Sequence, residues 1–260
     1  MCAFSQYTRL LNFGKGSFRI MNWMKVYILH GWTLGNDSRE KWSPFISELE
    51  TRGLEPLFLS LPGFGENELD SPWSIDDYVS WLLSLLPKDE KIVLVGHSFG
   101  GHIAVTFAAV YPKKVDKLIL ISSSGLREHA LKSRLKRKVF SLAAKLGKRL
   151  TSSEKLRGVL YKLARERDYL SASPVMRETM KLAISHDVAL LLKNVEAKTC
   201  LIWGENDVVT PLSLGKVFEN QIKNSVLHVL PGERHSPQFT NASGVAELSK
   251  EFLFSNGNGQ

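Results

Sequence analysis

Residues 92–112 include no Lys, Arg, Asp or Glu, and the character of the segment changes half-way along. An apolar run, 92–95, meets Gly96-His97-Ser98 and Gly100-Gly101-His102, and an alanine-rich stretch follows. A membrane span of this length would carry both glycine-histidine clusters into the bilayer, where polar groups find no water. The segment therefore reads as a buried strand, a sharp turn and a helix, and no membrane span is expected.

Similar apolar runs recur at 25–29, 55–59, 118–121, 200–203 and 226–230. Their hydrophobicity is continuous rather than alternating, as expected of parallel strands covered on both faces. Between them, 44–51, 74–86, 99–111, 210–220 and 240–254 read as helices. Ser74 with Asp77 three residues on suggests a capping box, and Ser43-Pro44 an N-cap and first helical position. The expected class is α/β: a mostly parallel sheet with helices on both faces.

The alternation stops after Ile121 and resumes near Asp187. Leu131, Leu135, Val139, Leu142 and Leu146 keep a helical period inside the gap, so 126–185 is assigned as a helical cap inserted over one end of the sheet. The core is then 25–125 and 186–260. Residues 1–24 form an N-terminal tail or a hairpin turning at Gly14-Lys15-Gly16; an organellar presequence and a misassigned start are the other readings of this basic stretch.

Composition removes several classes. At 43% hydrophobic and 23% charged residues, with mean hydropathy −0.10, the chain of 260 residues is neither disordered, collagenous nor a coiled coil. Cys2 and Cys200 have no metal-ligand spacing, which argues against a zinc site or disulfide framework and favours a reducing, cytoplasmic setting. Net charge is +8, yet 127–168 alone holds fourteen Lys or Arg against four acids, so the excess is local. That segment is a solvated helical face or a docking surface for an acidic protein. It lacks a nucleic-acid motif and interleaved aromatic residues, so no nucleic-acid partner is expected.

Gly96-His97-Ser98-Phe99-Gly100 matches G-x-S-x-G in its required context, strand before and helix after. The glycines let the chain turn sharply enough to lift Ser98 into an exposed position. A serine hydroxyl needs a base to take its proton and a carboxylate to hold that base in one tautomer. In the order Ser, acid, His, the acid is Asp207 in Gly204-Glu205-Asn206-Asp207, with Glu205 the rival nearer the strand end. The base is His235, in the loop Pro231-Gly232-Glu233-Arg234-His235. The backbone N–H groups of Phe99 and of Trp32, in His30-Gly31-Trp32, are placed to face the oxyanion.

His30-Gly31-Trp32, Leu61-Pro62-Gly63-Phe64-Gly65, the Gly96–Gly101 segment, Asp207 and His235 together resemble the α/β-hydrolase fold superfamily over most of 25–254. The resemblance implies Ser98 as nucleophile, Asp207 as acid, His235 as base, and Trp32 with Phe99 as oxyanion hole, under an inserted cap. Ser98 departs from the members with a carboxylate nucleophile. His30-Gly31-Trp32-Thr33-Leu34-Gly35 departs from the glycine- and proline-rich oxyanion loop of the carbon–carbon bond hydrolases. The His-Gly-Trp loop and a basic cap, with Arg134, Arg137, Arg149, Arg157, Arg165 and Arg167, resemble the carboxylesterases that demethylate a pimeloyl chain on acyl carrier protein. The elbow His97-Ser98-Phe99 differs from that group's Trp-Ser-Leu.

The expectation is a serine hydrolase of a small to medium carboxylic ester, with no cofactor and no metal. The alternatives are a small-molecule binding protein on the same scaffold and an esterase whose acyl chain arrives on an acidic carrier protein.

Overall fold

A computed structural model describes residues 11–12, 18–19, 23–33, 38–127 and 172–255. Two short strands, β1 (Leu11–Asn12) and β2 (Phe18–Arg19), pair antiparallel on either side of the Gly14-Lys15-Gly16 stretch. The main sheet contains β3 (Met24–Leu29), β4 (Leu54–Leu59), β5 (Ile92–His97), β6 (Val115–Ile121), β7 (Lys198–Gly204) and β8 (Ser225–Leu230). All neighbours are parallel, in the order β4-β3-β5-β6-β7-β8.

The continuous apolar runs have a simple cause. Successive side chains on a strand point to opposite faces, and here both faces are covered. Leu94, Leu118, Leu120 and Leu201 join the core cluster beneath α2 (Ile75–Leu85) and α3 (Phe99–Val110). Val93, Val95, Ile119 and Ile202 join the opposite cluster, beneath α1 (Ser38–Thr51). Every position of β5 is buried, and β6 and β7 are buried from Leu118 and Thr199 onward, with the charged residues Asp116, Lys117 and Lys198 confined to their amino ends.

The helices follow local signals with two differences from expectation. The Ser74–Asp77 capping box forms, with Asp77 N–H donating to Ser74 Oγ at 3.2 Å and Ser74 N–H to Asp77 Oδ2 at 2.7 Å. Ser43-Pro44, however, does not start a helix. α1 begins at Ser38 and Pro44 lies inside it. Pro44 and Glu40, the residue whose carbonyl loses its donor to the proline, are both exposed, while Trp42, Phe45 and Leu49 supply the buried face. At the other end, the helix read over 240–254 is two: a single turn, α6 (Pro237–Thr240), then α7 (Ala242–Phe254), N-capped by Asn241.

Of 126–185, expected to form the cap, the structure describes one helix, α4 (Pro174–Ser185), N-capped by Ser173. Trp73 N–H donates to Thr179 Oγ1 at 3.0 Å and ties this helix to the loop ahead of α2. The periodic leucines from Leu131 to Leu146 and the six cap arginines lie outside the described residues. Among the described residues, no helix is long and apolar enough to cross a membrane. After β7 comes α5 (Leu212–Gln221).

The strand order sets the location of any site. The chain runs from β3 outward to β4, then returns across β3 to β5. At that reversal the loops after β3 and β5 diverge and leave a crevice at the carboxyl ends of the strands. His30-Gly31-Trp32 follows β3, and Ser98 follows β5.

Candidate active site

Ser98 occupies a strained conformation, φ 52°, ψ −112°, between β5 and α3. Such a backbone persists only where its surroundings fix it. Ser98 N–H donates to the Ile121 carbonyl at 3.1 Å, and its own carbonyl accepts from His102 N–H and Ser124 N–H, each at 3.0 Å. The two motif glycines are required by contact. A Cβ at Gly96 would lie 2.6 Å from the Gly100 carbonyl oxygen. One at Gly100 would overlap the carbonyls of Leu29 and His30. Ser98 is thereby pressed against the end of β3, and a Cβ on Gly31 would sit 3.3 Å from Ser98 Cβ.

The β3 loop is shaped by His30, which is fully buried. Leu61 N–H donates to His30 Nε2 at 3.0 Å, so the proton is on Nδ1, which donates to the Gly31 carbonyl at 2.7 Å. Burial lowers the His30 pKa to about 4, outweighing the bond to Gly31, and keeps this tautomer neutral. Trp32 follows directly, its ring edge-on to Phe99 at 5.2 Å and to Phe64 at 5.0 Å. Phe99 opens α3, so its N–H has no intrahelical acceptor. Both predicted oxyanion donors thus belong to residues packed against each other beside Ser98.

Asp207 and His235 come from the loops after β7 and β8. Gly204 lets these loops close on one another, since a Cβ there would overlap the backbone of Glu233 and Arg234. Asn206 N–H then donates to the Glu233 carbonyl at 2.8 Å. His235 Nε2 lies 2.9 Å from Ser98 Oγ, and His235 Nδ1 lies 2.9 Å from Asp207 Oδ2. An ionised carboxylate only accepts, so Nδ1 carries the proton and the Nε2 lone pair faces the serine O–H. Glu205 takes no part in this chain; its carboxylate accepts from Gly232 N–H at 3.0 Å.

Asp207 is held as an anion. Burial acts to raise its pKa, but the hydrogen bond and charge of His235 and the donors of Thr210 outweigh burial and hold it below the usual carboxylate range. Oδ1 accepts from Val209 N–H at 2.8 Å and Thr210 N–H at 2.9 Å. With the base gripped at one nitrogen and facing a hydroxyl with the other, the arrangement can take a proton from Ser98 as its oxygen bonds to an electrophile.

The sequence profile of the α/β hydrolase fold matches residues 26–140. A meta-cleavage product hydrolase from Pseudomonas fluorescens IP01 superposes with a TM-score of 0.65 at 23% identity, covering 88% of this chain and 90% of that one. The chain has the α/β-hydrolase fold. Among the curated relatives of this α/β-hydrolase is a pimeloyl-[acyl-carrier protein] methyl ester esterase of Wigglesworthia glossinidia brevipalpis, 25% identical over 254 residues, covering 88% of this chain and 93% of the relative. Another is a 2-hydroxy-6-oxononadienedioate/2-hydroxy-6-oxononatrienedioate hydrolase of Comamonas testosteroni, 26% identical over 253 residues, covering 88% and 87%.

Three residues of this α/β-hydrolase escaped sequence reasoning. His30 shapes the loop after β3. His97, in the x position of the elbow, has its Nε2 2.9 Å from the His235 carbonyl, to which it must donate. Its burial, and then the neighbouring His235, lower its pKa to about 3 despite that bond. Thr210 places its hydroxyl 2.8 Å from Asp207 Oδ2. Only Thr210 carried a readable signal, because an aspartate two or three residues ahead of free N–H groups forms a side-chain-capped turn.

A cleft of about 440 Å³ is lined by Thr33, Gly63, Phe64, Leu69, Val175 and Met176, among others. Phe64 touches the rings of both Trp32 and Phe99, so the cleft adjoins the side of the elbow where these two residues pack. Among the described residues, no group of three or more His, Cys, Asp or Glu side chains is placed to hold a metal ion.

Proposed function

We propose that this enzyme hydrolyses a small to medium carboxylic ester through an acyl-enzyme on Ser98. The observation that carries the reading is the continuous chain from Ser98 Oγ through both ring nitrogens of His235 to the buried Asp207 carboxylate, each step at 2.9 Å. Ser98 Oγ bonds to the acyl carbon as its proton passes to His235 Nε2. The carbonyl oxygen gains charge opposite the N–H groups of Trp32 and Phe99. The bond to the alkoxy oxygen breaks and His235 returns the proton to it, releasing the alcohol. Water repeats the sequence: His235 takes its proton, its oxygen bonds to the acyl carbon, and Ser98 leaves with the proton. Ester and water become acid and alcohol, and the enzyme is restored.

Phe64, Leu69, Val175 and Met176 give the cleft an apolar side that can take an acyl chain, while Thr33, Glu68 and Ser173 supply polar groups along the rest of its lining. Cys200 is a buried free thiol whose pKa burial pushes up to about 12, in keeping with a reducing, cytoplasmic setting.

A second reading concerns delivery of the substrate. The excess positive charge of 127–168 together with the esterases of carrier-bound pimeloyl chains among the relatives favours an acyl chain presented by an acidic carrier protein. Turnover of a carrier-linked methyl ester would then be at least tenfold more efficient than of the free ester at low salt, and the advantage would shrink as salt is added.

The primary test is intact mass after incubation with a fluorophosphonate, for wild type and Ser98→Ala, with turnover of a chain-length series of p-nitrophenyl esters. One adduct, absent from the variant, and a loss of turnover of at least ~10³-fold are expected. Equal labelling of both proteins would remove Ser98 from the mechanism. A folded wild type that neither labels nor turns over, yet binds one small molecule tightly, would make it a binding protein.

A further inference from the structure

Thr210 is buried, and its backbone is fixed on both sides. Trp203 Nε1–H donates to its carbonyl at 2.7 Å, and its own N–H donates to Asp207 Oδ1. The hydroxyl has three polar neighbours: Asp207 Oδ2 at 2.8 Å, the Ser122 carbonyl at 3.1 Å and His235 Nδ1 at 3.2 Å. A hydroxyl has one proton to give. Two of the neighbours accept and the third, His235 Nδ1–H, donates. The proton therefore goes to the carboxylate or to Ser122, while the oxygen lone pairs share the His235 N–H with Asp207 Oδ2.

We propose that Thr210 is a positioning residue of the triad, whose hydroxyl bridges Asp207 and His235 and limits how strongly the carboxylate holds a proton on the imidazole. The role rests on the hydrolase reading of Ser98, Asp207 and His235. Its physical basis is the set of donors around one carboxylate. Oδ1 is satisfied by two N–H groups, so Oδ2 divides its charge between Thr210 and His235. Remove the hydroxyl, and Oδ2 has His235 alone. The imidazolium form is then favoured, so the pH at which His235 becomes a free base rises.

The ionisable ring packed on His235 is His97, 5.1 Å away between centroids, and it stays neutral through the working range. Behind it lies His30, neutral for the same reason. Glu205 is turned toward Gly232.

The test uses Thr210→Val, which keeps the shape and removes the hydroxyl, and Thr210→Ser, which restores it. Thr210→Ala serves as a second hydroxyl-free variant should valine impair folding. With a p-nitrophenyl ester, Thr210→Val is expected to lower kcat about tenfold with KM within twofold, and to move the acid limb of kcat/KM up by about 0.5 pH units or more. Thr210→Ser is expected to return both to wild-type values. A packing role alone would not move the limb. A folded Thr210→Val or Thr210→Ala variant with the wild-type limb, or a serine variant that fails to restore it, overturns the proposal. The His235 titration followed by NMR in the same proteins must shift in the same direction. That readout needs no turnover, so it tests Thr210 even where fluorophosphonate labelling has already sunk the hydrolase reading.

Discussion

Two pairs of histidines flank Ser98 and differ in what surrounds them. His97 precedes it at the end of β5 and meets His235, with ring centroids 5.1 Å apart. His102 follows it on α3 and meets His186 at the end of α4, Nε2 to Nδ1 at 2.9 Å. His97 and His102 are both buried, and burial, ahead of the neighbouring histidine, lowers each to about 3. The partners diverge. His235 has a carboxylate in hydrogen-bond contact and a hydroxyl on its other nitrogen. In His186, burial lowers the pKa against the more distant charges of Asp76 and Asp187. On the proposed mechanism, a part-buried imidazole becomes a base where a carboxylate holds one nitrogen and leaves the other facing a proton donor. Without that contact it is a neutral connector, here joining α3 to α4.

The comparison breaks most sharply at His235. Its replacement by alanine should reduce ester turnover by at least ~10³-fold while the melting temperature stays within a few degrees. The matching His186→Ala change should do the reverse, as argued below. Equal losses of turnover in both would erase the distinction between base and connector.

Next in size is His97→Phe, which keeps a ring between Trp42 and Phe239 but removes the donor to the His235 carbonyl. The backbone of the base then loses its tether to the elbow. Small misplacements of reacting groups are costly, so kcat should fall about 10- to 100-fold with little change in KM. Steady-state kinetics settles the point, and an unchanged kcat would mean that packing alone holds the loop.

How far this was legible beforehand divides along the same line. The strands and their covered faces follow from apolar runs, and β5 and β6 then extend beyond them. Lys117, absent from any apolar run, still pairs with Val93 and Lys198, its ammonium reaching the Phe252 and Leu253 carbonyls. Ladder hydrogen bonds belong to the backbone, so they continue where hydrophobicity ends. That Ser98, Asp207 and His235 would meet was readable, because each stands at a strand end in the expected chain order. His97 and His102 were not separable from each other or from any structural histidine. Their roles depend on which loop lies opposite, and that is fixed by β7, β8 and α4 assembling around β5. The helix start at Ser38 was hidden by Pro44, which signals a first turn but is tolerated within a helix where the freed carbonyl meets water.

Buried neutral histidines also set the acid stability of the fold. Unfolded, each titrates near 6.5; folded, His30 does so at about 4 and His97 and His102 at about 3. Below 6.5 the unfolded chain binds more protons, so stability is complete above that pH and is lost as pH falls toward 4 and 3. Each residue costs on the order of 1.4 kcal/mol per pH unit within that window. The melting temperature should drop by at least about 5 °C from pH 7 to pH 5. His102→Phe should flatten the slope, and a flat wild-type profile would place the titration of these rings near its unfolded value.

The smallest effect sharpens the comparison from the connector side. His186→Ala removes a part-buried ring and one side-chain hydrogen bond, worth about 1 kcal/mol. His102 Nε2 is then left inside the protein without its partner, so the cost should appear in the melting temperature, about 2–4 °C. Ester turnover below that temperature should stay within about threefold of wild type, because the side-chain contact of His186 is with His102, whose own link to Ser98 is a backbone hydrogen bond that the change leaves in place. A larger loss of kcat, with the melting temperature unchanged, would mean that the α3–α4 link governs the geometry at Ser98. His102→Phe, which fills the same space without the hydrogen bond, should then reproduce that loss.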